Sequence, residues 1–493
     1  MAGGLLQLAG YGNQDIYLTG SPIISYFKVV YRRYTNFSME NISLTFDKTE
    51  LSFHEDKIFK IKIDRNAELV SKIYFTFTLP EIQSSPGKQF QWIKNIGTTI
   101  IRSVAVFIGG RKIDEHYGEW LHIWHELNLT TEQKNGYDQM IGNSPELYDP
   151  SNADGNNGVY PDSRFGIDFI PSINSRKIYV PLIFWFNRHP GLTLPLIALQ
   201  YHEIELQFYM RPIKDLYTII ETEPSSLNYG YRIKPTENVS AHRIENYLTD
   251  TSSIQVNPDG TKALLYFDIN ARLEVNYIFL DSDERKRFAN VDHEYLIERV
   301  FRIEETGIEG NSSHNIRLEL HHPTKELIWC TKRDNVSTQN DWTNFTNWTD
   351  ETNPPYSLSY YNPYGPTNKI TANNYQAYKN KSILLDAKLK LNGYDRFSEK
   401  DNIYFNLTQP FETHTRIPKT GIYCYSFALD NTNSKVNQPS GSCNFSMYNN
   451  IDLAITTIPI DIIQTYKFMC TVYAINYNML RIKSGMGDLE FAP

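Results

Sequence analysis

The sequence predicts an all-β protein with few and short helices, and three observations support this fold class. Aromatic residues form 14% of the 493 residues, including 34 Tyr and 26 Phe, and such side chains fit the pleated surface of a strand. Segments that alternate apolar and polar residues recur along the chain, with turn residues between them. Helical patterns are sparse, which argues against an α/β fold. Short strands joined by turns are typical of sandwiches and barrels.

The first half contains alternating segments that predict half-buried strands. Segment 73–79 places its Ile, Phe and Leu residues on one face, and segment 59–63 turns its two Lys residues to water. Segment 104–108 repeats this pattern before the turn residues Gly109-Gly110. Alternation with a period of two is expected where one face of a sheet covers a core. Two further strands are predicted at 178–186 and 203–209.

The second half is similarly rich in strand patterns, with turn residues between the apolar runs. The predicted strands are 263–280, 298–305, 315–320, 383–391, 402–408, 421–428 and 466–476.

Two segments predict helices. Residues 281–289 begin with Asp281 as an N-cap and have Glu284 three positions later, which is a capping arrangement. Residues 118–127 would place two Trp, one Ile and one Leu on the same side of a helix.

A weak internal duplication relates the two halves of the chain. The strand and turn at 104–112 resemble 388–395, and 178–180 resembles 422–424. The two offsets differ, as they would if loops of unequal length occupied the same places. This pattern predicts two copies of one β-unit that meet in a linker around 221–237.

Two long polar stretches, 131–176 and 331–381, interrupt the strands. Unstructured loops longer than about 12–15 residues are uncommon in compact domains unless they are functional or disordered. Both stretches contain aromatic residues, so we expect ordered surface excursions.

The charge balance argues against nucleic-acid binding. The chain has 48 Lys and Arg against 56 Asp and Glu, which gives a formal net charge of −8. A protein that neutralises phosphates would be expected to carry a basic surface. No apolar run approaches the ~18–20 residues of a membrane span, and the start of the chain lacks the pattern of a secretory signal.

The four cysteines are too far apart in sequence for a CxxC motif, and four is too few for a disulfide framework. We therefore expect free thiols, as in a reducing compartment. The positions are Cys330, Cys424, Cys443 and Cys470.

The search for chemistry predicts no catalytic, cofactor-binding or metal-binding residue. His122 and His125 would share a helix face, either as a weak metal pair or on a surface that faces a partner. His321-His322 could pair likewise, but a turn before proline is the better interpretation. The acidic group at 281–284 is followed by three basic residues, which predicts a solvated helix with local salt bridges.

The sequence also raises the question of what role three tryptophans and the N-x-S/T sequons have. Trp120, Trp124 and Trp185 could belong to a core or to an interface, and the core interpretation is the better one. Roughly eleven N-x-S/T sequons occur, which the high content of Asn, Ser and Thr would produce by chance. They include Asn335, Asn344, Asn347 and Asn406.

The chain nevertheless resembles a known family along nearly its whole length. The segments FKVVYRRYTNFS at 27–38, NRHPGL at 187–192, LNGYDRFSE at 391–399, PSGSCNFS at 439–446 and NYNMLRI at 476–482 follow one another in family order. They are similar to the major capsid proteins of nucleocytoplasmic large DNA viruses. The departures lie in the loops, chiefly 131–176 and 331–381. The opening segment 4–20 and the segments 194–202 and 325–329 are similar as well.

The resemblance implies a double jelly roll, that is, two consecutive eight-stranded sandwiches with long loop insertions. The domains expected on this basis are an N-terminal arm at 1–22, a first jelly roll at 23–220, a linker at 221–240 and a second jelly roll at 241–493.

The resemblance also implies a structural function without enzymatic activity or cofactors. Three chains would form a trimeric, pseudo-hexagonal capsomer, and such capsomers would tile an icosahedral capsid over an internal membrane. The implied partners are neighbouring capsomers, minor capsid proteins on the inner face and a penton protein at the vertices. Nucleic acid would not be bound directly, and the membrane would be contacted only indirectly. The protein would be made in the host cytoplasm and reside in the virion.

Two alternatives remain open from the sequence. The chain could be a paralogous or minor capsid protein of the same fold. From another class, a carbohydrate-binding β-sandwich module or glycosidase would share the strands and aromatics, but it would need a cleft lined by Trp or Tyr with two carboxylates. The length and aromatics of 331–381 also motivate the hypothesis that this loop binds a receptor.

Overall fold

The computed structural model places most of the chain. It describes residues 3–84, 88–153, 155–161, 163, 170–222, 225, 232–236, 238–258, 262–311, 313–348, 351, 380–432, 438–460 and 466–491.

The chain divides into two compact units, Met1–Phe37 and Ser38–Pro493. The first unit contains helices α1 (Gly3–Ala9) and α2 (Ile16–Thr19), and none of its described residues is buried. Both helices lie within the N-terminal arm that the resemblance implied at 1–22.

The strands up to residue 280 form five sheets, and the two largest build the first half of the fold, while β12-β11-β5, β13-β14 and β15-β2 form the three small ones. One large sheet has the order β1-β16-β4-β8, with the short strand β9 beside β4, and the other has the order β3-β10-β6-β7. In chain order the strands are β1 (Phe37–Thr45), β2 (Glu50–Leu51), β3 (Lys57–Lys62), β4 (Leu69–Leu79), β5 (Lys88–Trp92), β6 (Ile101–Ile108), β7 (Arg111–Tyr117), β8 (Arg176–Pro181), β9 (Leu194–Pro195), β10 (Ile204–Met210), β11 (Tyr217–Glu221), β12 (Arg232–Ile233), β13 (Ile254–Val256), β14 (Lys262–Leu264), β15 (Phe267–Asp268) and β16 (Arg272–Leu280).

The strands after residue 290 build two further sheets in the same way. Their orders are β17-β26-β19-β23 and β18-β25-β20-β21. The strands are β17 (His293–Ile308), β18 (Ser313–Arg317), β19 (Pro323–Arg333), β20 (Leu384–Leu391), β21 (Tyr394–Asp395), β22 (Lys400–Asp401), β23 (Ile422–Ser426), β24 (Cys443–Asn444), β25 (Ile451–Thr457), β26 (Phe468–Lys483) and β27 (Met486–Leu489).

The two halves therefore repeat one topology, and the predicted double jelly roll is confirmed. In each half the first and last long strands are neighbours, and the strand that follows the central hairpin turn lies at a sheet edge. The two hairpins also match in detail, because Gly109-Gly110 and Asn392-Gly393 all have positive φ. Two-residue loops with positive φ at both positions suit the right-handed twist of the flanking strands. We call residues 38–280 the first jelly roll and residues 293–489 the second jelly roll.

The pairing of β16 bears on where one jelly roll ends. Strand β16 pairs with β4, from Arg272 opposite Thr76 to Ile278 opposite Leu69. It lies beyond the linker predicted at 221–240, yet it completes a sheet of the first jelly roll. The division of the chain into domains remains a proposal, and this pairing favours a boundary near residue 281.

The α-helices of the described residues after α2 are α3 (Ile96–Thr99), α4 (Gly118–Asn128), α5 (Thr131–Met140), α6 (Pro145–Tyr148), α7 (Trp185–Arg188), α8 (Ser282–Asn290) and α9 (Gln409–Thr413), and α9 continues a π-helix (Tyr404–Thr408). The helices predicted at 118–127 and 281–289 are confirmed as α4 and α8. Asp281 caps α8 by accepting a hydrogen bond from the Ser282 amide.

The polar stretch 131–176 contains α5 and α6, and a capping box at Thr130 and Gln133 starts the first of these helices. Two local strand predictions were wrong. The strand predicted at 178–186 ends at Pro181, before α7. Segment 402–408 is helical rather than a strand, because only its Phe405 turns fully inward. Short apolar runs do not distinguish a strand from a buried helix.

Two apolar cores fill the second unit. One lies inside the second jelly roll and includes Trp329 and Tyr423. The other fills the first jelly roll, and it also contains residues of the second one, among them Ile328, Cys330 and Tyr473. The sheet β17-β26-β19-β23 thus buries both of its faces. Trp120 and Trp185 are fully buried in the larger core, as the sequence predicted, whereas Trp124 is only partly buried.

Candidate assembly interfaces

The two jelly rolls meet along a seam inside the chain. Helix α4 of the first jelly roll packs on the outer face of the β17-β26-β19-β23 sheet of the second. The Trp120 ring lies 5.2 Å from the Tyr473 ring, measured between centroids, and both side chains are fully buried. We use the name seam for this contact between α4 and that sheet.

A largely buried ion pair crosses the seam at the start of α4. Glu119 accepts hydrogen bonds from the Lys332 ammonium and from the Cys330 thiol, each at 2.8 Å. Burial by itself would raise the pKa of Glu119, but Lys332 and the Cys330 hydrogen bond hold that pKa below its usual range. Burial, together with the Glu119 charge, raises the pKa of Cys330 well above its usual value. The carboxylate is therefore ionised and the thiol is protonated at neutral pH.

A second charged group crosses the seam at the end of α4. The Glu126 carboxylate pairs with Arg416 of the second jelly roll and, at 3.1 Å, with Lys134 of α5. Arg416 also donates from Nε to the Glu126 carbonyl and from its amide to the Leu127 carbonyl. Both ends of α4 are therefore tied to the second jelly roll by charge-assisted hydrogen bonds, which are roughly twice as strong as neutral ones.

A third charged group lies beside the seam. Glu298 of β17 accepts hydrogen bonds from Arg188 of the first jelly roll at 2.7 Å and from Lys325 of β19 at 2.9 Å. Removing one member of such a buried group would leave an uncompensated charge. These three groups consequently favour a single arrangement of the two jelly rolls.

The start of the long stretch 331–381 adds to this contact. Trp342 donates from its indole nitrogen to the Asp215 carbonyl at 3.0 Å, and Asn340 donates to the Lys214 and Tyr217 carbonyls. The sequence predicted a surface excursion, but residues 343–347 are buried. Residues 349–350 and 352–379 lie outside the described residues, so the hypothesis of a receptor-binding loop stays untested.

The histidines of α4 do not form the partner-facing surface that was considered from the sequence. His122 and His125 are 1% and 3% exposed, so they do not form a surface for a partner. His125 bonds through Nδ1 to the Leu121 carbonyl at 2.6 Å and stacks on Tyr137. Burial lowers the pKa of both, to about 3 for His125. Within the described part of the chain, no cluster of three or more His, Cys, Asp or Glu residues could hold a metal ion.

The other sequence candidates occupy ordinary structural positions. No residue of α8 is buried, and its Arg285 pairs with Glu68 at 3.1 Å, as expected for a solvated helix. His321 is exposed and His322 is buried before strand β19. Asn344 and Asn347 are buried, which excludes them as glycan sites in the folded chain, while Asn335 and Asn406 are partly exposed. All four cysteines are free thiols.

One cleft of the described residues, near α6, does not have the composition of a sugar-binding site. It has a volume of about 460 Å³ and contains Glu146 and Arg176, but no Trp or Tyr is among its described lining residues. The two charged side chains pair with each other at 3.0 Å. A glycosidase would need two carboxylates at the bond to be cleaved. No helix of the described residues is both long and apolar enough to cross a membrane.

The first compact unit exposes an unusual amount of apolar surface. Phe27 and Ile23 are 99% and 98% exposed, and the remaining exposed aromatic and aliphatic residues between 5 and 37 are 48% to 90% exposed. Soluble monomers rarely expose contiguous apolar patches of more than a few hundred Å² unless these bind a partner. Residues 3–37 are therefore a second candidate assembly surface, in addition to the seam.

Sequence reasoning missed the seam. Its Glu119, Glu126 and Glu298 are ordinary acidic residues in the sequence, and their partners in the other jelly roll lie 110–290 positions away. The one available signal was the helix 118–127 itself, since it combines acidic residues with an apolar side.

The comparisons with known proteins agree with this structure. The family described as "Major capsid protein N-terminus" matches residues 25–281, and the family described as "Large eukaryotic DNA virus major capsid protein" matches residues 284–488. The two matches meet where the strand pairing favours a boundary.

Whole-chain relatives and solved structures are similar as well. The chain is 36% identical to the major capsid protein of Phaeocystis pouchetii virus and 31% identical to "Probable capsid protein 4" of Acanthamoeba polyphaga mimivirus. Each alignment covers 100% of this chain and at least 99% of the relative. A quasi-atomic model of the PBCV-1 virus capsid matches with a TM-score of 0.66 and 28% identity, over 95% of this chain and 100% of the other. This chain, with its two jelly rolls, belongs to the family of major capsid proteins of large eukaryotic DNA viruses.

Proposed function

We propose that three copies of this chain form a pseudo-hexagonal capsomer and that such capsomers tile an icosahedral capsid. The observation that carries the proposal is the seam, which holds two topologically equal jelly rolls in one arrangement. Three such chains would supply six similar units around one axis, and a six-fold outline packs a surface without gaps. Function here is repeated self-association, and the chain performs no enzymatic step and takes no cofactor.

The exposed first unit suggests where other components bind. Residues 3–37 carry apolar side chains that stand open in the single chain, so ordering them against a partner would bury apolar area. We propose that this unit faces the inside of the shell, where it contacts minor capsid proteins above an internal membrane. Neighbouring capsomers and a penton protein at the vertices would complete the contacts. Assembly would take place in the host cytoplasm, and no direct contact with nucleic acid is proposed.

Light scattering after size exclusion tests the trimer directly. The chain has a mass of 57.3 kDa, and we expect the purified protein to have about three times this mass. A particle of one chain at concentrations well above the micromolar range would contradict self-assembly into capsomers.

A second candidate is a paralogous or minor capsid protein of the same fold. It is favoured by the similarity to a relative that is named a probable capsid protein rather than a major one. Quantitative mass spectrometry of purified virions separates the two candidates. A major capsid protein should be the most abundant chain of the shell, whereas a minor one should be present in a small fraction of that amount.

A further inference from the structure

One helix of the second jelly roll exposes an apolar stripe. Ile403, Leu407 and Phe411 are 56%, 41% and 77% exposed, and they lie four residues apart along the π-helix and α9. Residues at this spacing share one face of a helix. The opposite face is buried through Phe405 and Gln409, so the segment is held in place by its own jelly roll. π-helical turns inside helices are frequent at functional sites.

This helix is the topological counterpart of α4. Helix α4 follows the hairpin β6–β7 and precedes β8, and the π-helix with α9 follows the hairpin β20–β21 and precedes β23. Strands β6 and β20 occupy the same place in their sheets, as do β8 and β23. The two helices are therefore equivalent elements of the two jelly rolls, but α4 is buried and its counterpart is not.

Inside the chain, α4 covers one particular surface of the next jelly roll. It lies on the outer face of the β17-β26-β19-β23 sheet, where Cys330, Cys424 and Tyr473 are fully buried. The equivalent outer face of the first jelly roll belongs to the sheet β1-β16-β4-β8. The two edge strands of that face are open, since Met39 of β1 is 66% exposed and Tyr179 of β8 is 36% exposed.

We propose that the stripe Ile403, Leu407 and Phe411 binds the outer face of the β1-β16-β4-β8 sheet of a second copy of this chain. The contact would repeat between chains the arrangement that the seam shows within one chain. Because the helix and the sheet are different surfaces, the interface is heterologous, and a heterologous interface gives a closed ring when its rotation closes. This inference rests on the proposed trimer and assigns the residues that hold it together.

The charges on the two surfaces are compatible with this contact. The sheet face carries the exposed cations Lys72 and Lys177, and Lys177 pairs with Glu274 of β16 at 3.7 Å. Glu412 is exposed beside the apolar stripe. In the seam, the first acidic residue of α4, Glu119, pairs with Lys332 on the covered sheet. A carboxylate on the helix opposite a lysine on the sheet is thus already present in the intrachain version of the contact.

The test compares two variants that each remove one side of the contact. Leu407→Asp/Phe411→Asp places charges on the helix stripe, and Met39→Arg/Tyr179→Arg places charges on the sheet face. All four residues are exposed, so circular dichroism and the thermal midpoint should match the unchanged chain. Each variant alone should run as a monomer in light scattering, with the dissociation constant raised about 100-fold or more. Val256→Asp/Leu265→Asp, which changes two exposed apolar residues of the β13–β14 region, is the matched control and should remain trimeric.

Mixing the two variants tests the head-to-tail geometry. The helix variant keeps an intact sheet face, and the sheet variant keeps an intact helix, so one productive contact is left. An equimolar mixture should therefore give a particle of twice 57.3 kDa that grows no further. A mixture that stays monomeric while each variant is folded would overturn the helix-to-sheet contact.

The outcomes also separate this inference from the proposed function. If the unchanged chain is a trimer and the helix variant is a trimer too, the assigned interface is wrong and the trimer stands. If the unchanged chain is a monomer, the proposed self-assembly fails and the interface fails with it.

Discussion

At the scale of single residues, the seam depends on charges that are buried and paired. Glu119, Glu126 and Glu298 each have at least one cationic partner on the other jelly roll or beside it. Such pairs add little net stability compared with apolar residues of the same shape, but breaking one of them is costly. The main effect of these pairs is therefore to favour one arrangement of the two jelly rolls over others, and their contribution to net stability is small.

Removing the cation from the first pair should destabilise the chain. Lys332→Met leaves the buried Glu119 carboxylate without its ammonium partner, and we expect the free energy of unfolding to fall by about 3–5 kcal/mol. Denaturant unfolding measures the change. The double variant Glu119→Gln/Lys332→Met should recover most of the loss, because no uncompensated charge remains. As a control, Lys62→Met breaks the exposed pair with Glu203 and should leave the unfolding midpoint unchanged. An equal loss in the single and double variants would contradict this account.

The buried His125 should make stability depend on pH. Its pKa is lowered by burial to about 3 in the folded chain, so the unfolded chain, with a pKa near 6.5, binds the proton first as the pH falls. The contribution of His125 is therefore complete above about pH 6.5 and is lost progressively toward pH 3. Between pH 6.5 and 5 the loss should be on the order of 1–2 kcal/mol.

Replacing this histidine isolates its share of the pH dependence. His125→Gln should flatten the curve of unfolding free energy against pH in this range, even if it lowers stability at every pH. His321→Gln, at an exposed position, should leave the curve unchanged. If the slope of the His125 variant equals that of the parent chain, other groups are responsible.

At the scale of elements, the same helix position has opposite surroundings in the two jelly rolls. Helix α4 is buried at the seam, and the π-helix with α9 exposes its stripe. Both helices carry large apolar residues on the side that faces away from their own jelly roll. The amino-acid pattern alone therefore does not show which of the two helices is covered. The sequence comparison that paired 178–180 with 422–424 found equivalent strands, but its register was off by one. Tyr179 is exposed, whereas Tyr423 is buried, and a shift of one residue exchanges the two faces of a strand.

Helix α8, which connects the two jelly rolls, offers a test of local structure. Its cap is Asp281, and the helix buries none of its residues, so Asp281→Ala should destabilise the helix by about 1 kcal/mol. Hydrogen exchange should show faster exchange of the amides of the first turn of α8, with little change elsewhere. Asp283→Ala, one position past the helix start, is the control and should have a smaller effect. Unchanged exchange in the first turn would mean that the cap contributes nothing.

At the scale of the whole molecule, two units have different tasks. The second unit contains both jelly rolls and its own buried cores, so it has what a folded subunit needs. The first unit buries none of its described residues, and its apolar side chains are available to other molecules. We expect folding and trimer formation to depend on the second unit, and shell assembly to depend on both.

Deleting residues 1–22 tests this division of tasks. The truncated chain should unfold at a midpoint within about 1–2 °C of the full chain and should keep the trimeric mass. In cells that assemble the virus, however, it should enter far fewer complete shells, as counted by electron microscopy. A replacement of the apolar residues of this segment by Ser, at full length, controls for the change in length. Normal shells from both variants would exclude an essential role for the segment.

Much of the fold was accessible from the sequence, for a physical reason. Alternating apolar residues in 59–63, 73–79 and 104–108 determine which face of each strand is buried, since side chains along a strand alternate with a period of two. The turns Gly109-Gly110 and Asn392-Gly393 likewise determine two hairpins through their backbone freedom. Such local signals, with the resemblance at 27–38 and elsewhere, predicted two jelly rolls and a capsid function.

Only the tertiary structure decided which surfaces these jelly rolls use. Glu119 meets Lys332 across more than two hundred residues of sequence, and β16 returns to β4 across a similar distance. The helix predicted at 118–127 became a buried contact, and the strand predicted at 402–408 became a helix with an exposed stripe. Local patterns show which side chains are apolar and at what spacing apolar residues recur. Which surface covers these side chains depends on contacts between distant segments, and no local pattern identifies the two segments that will meet.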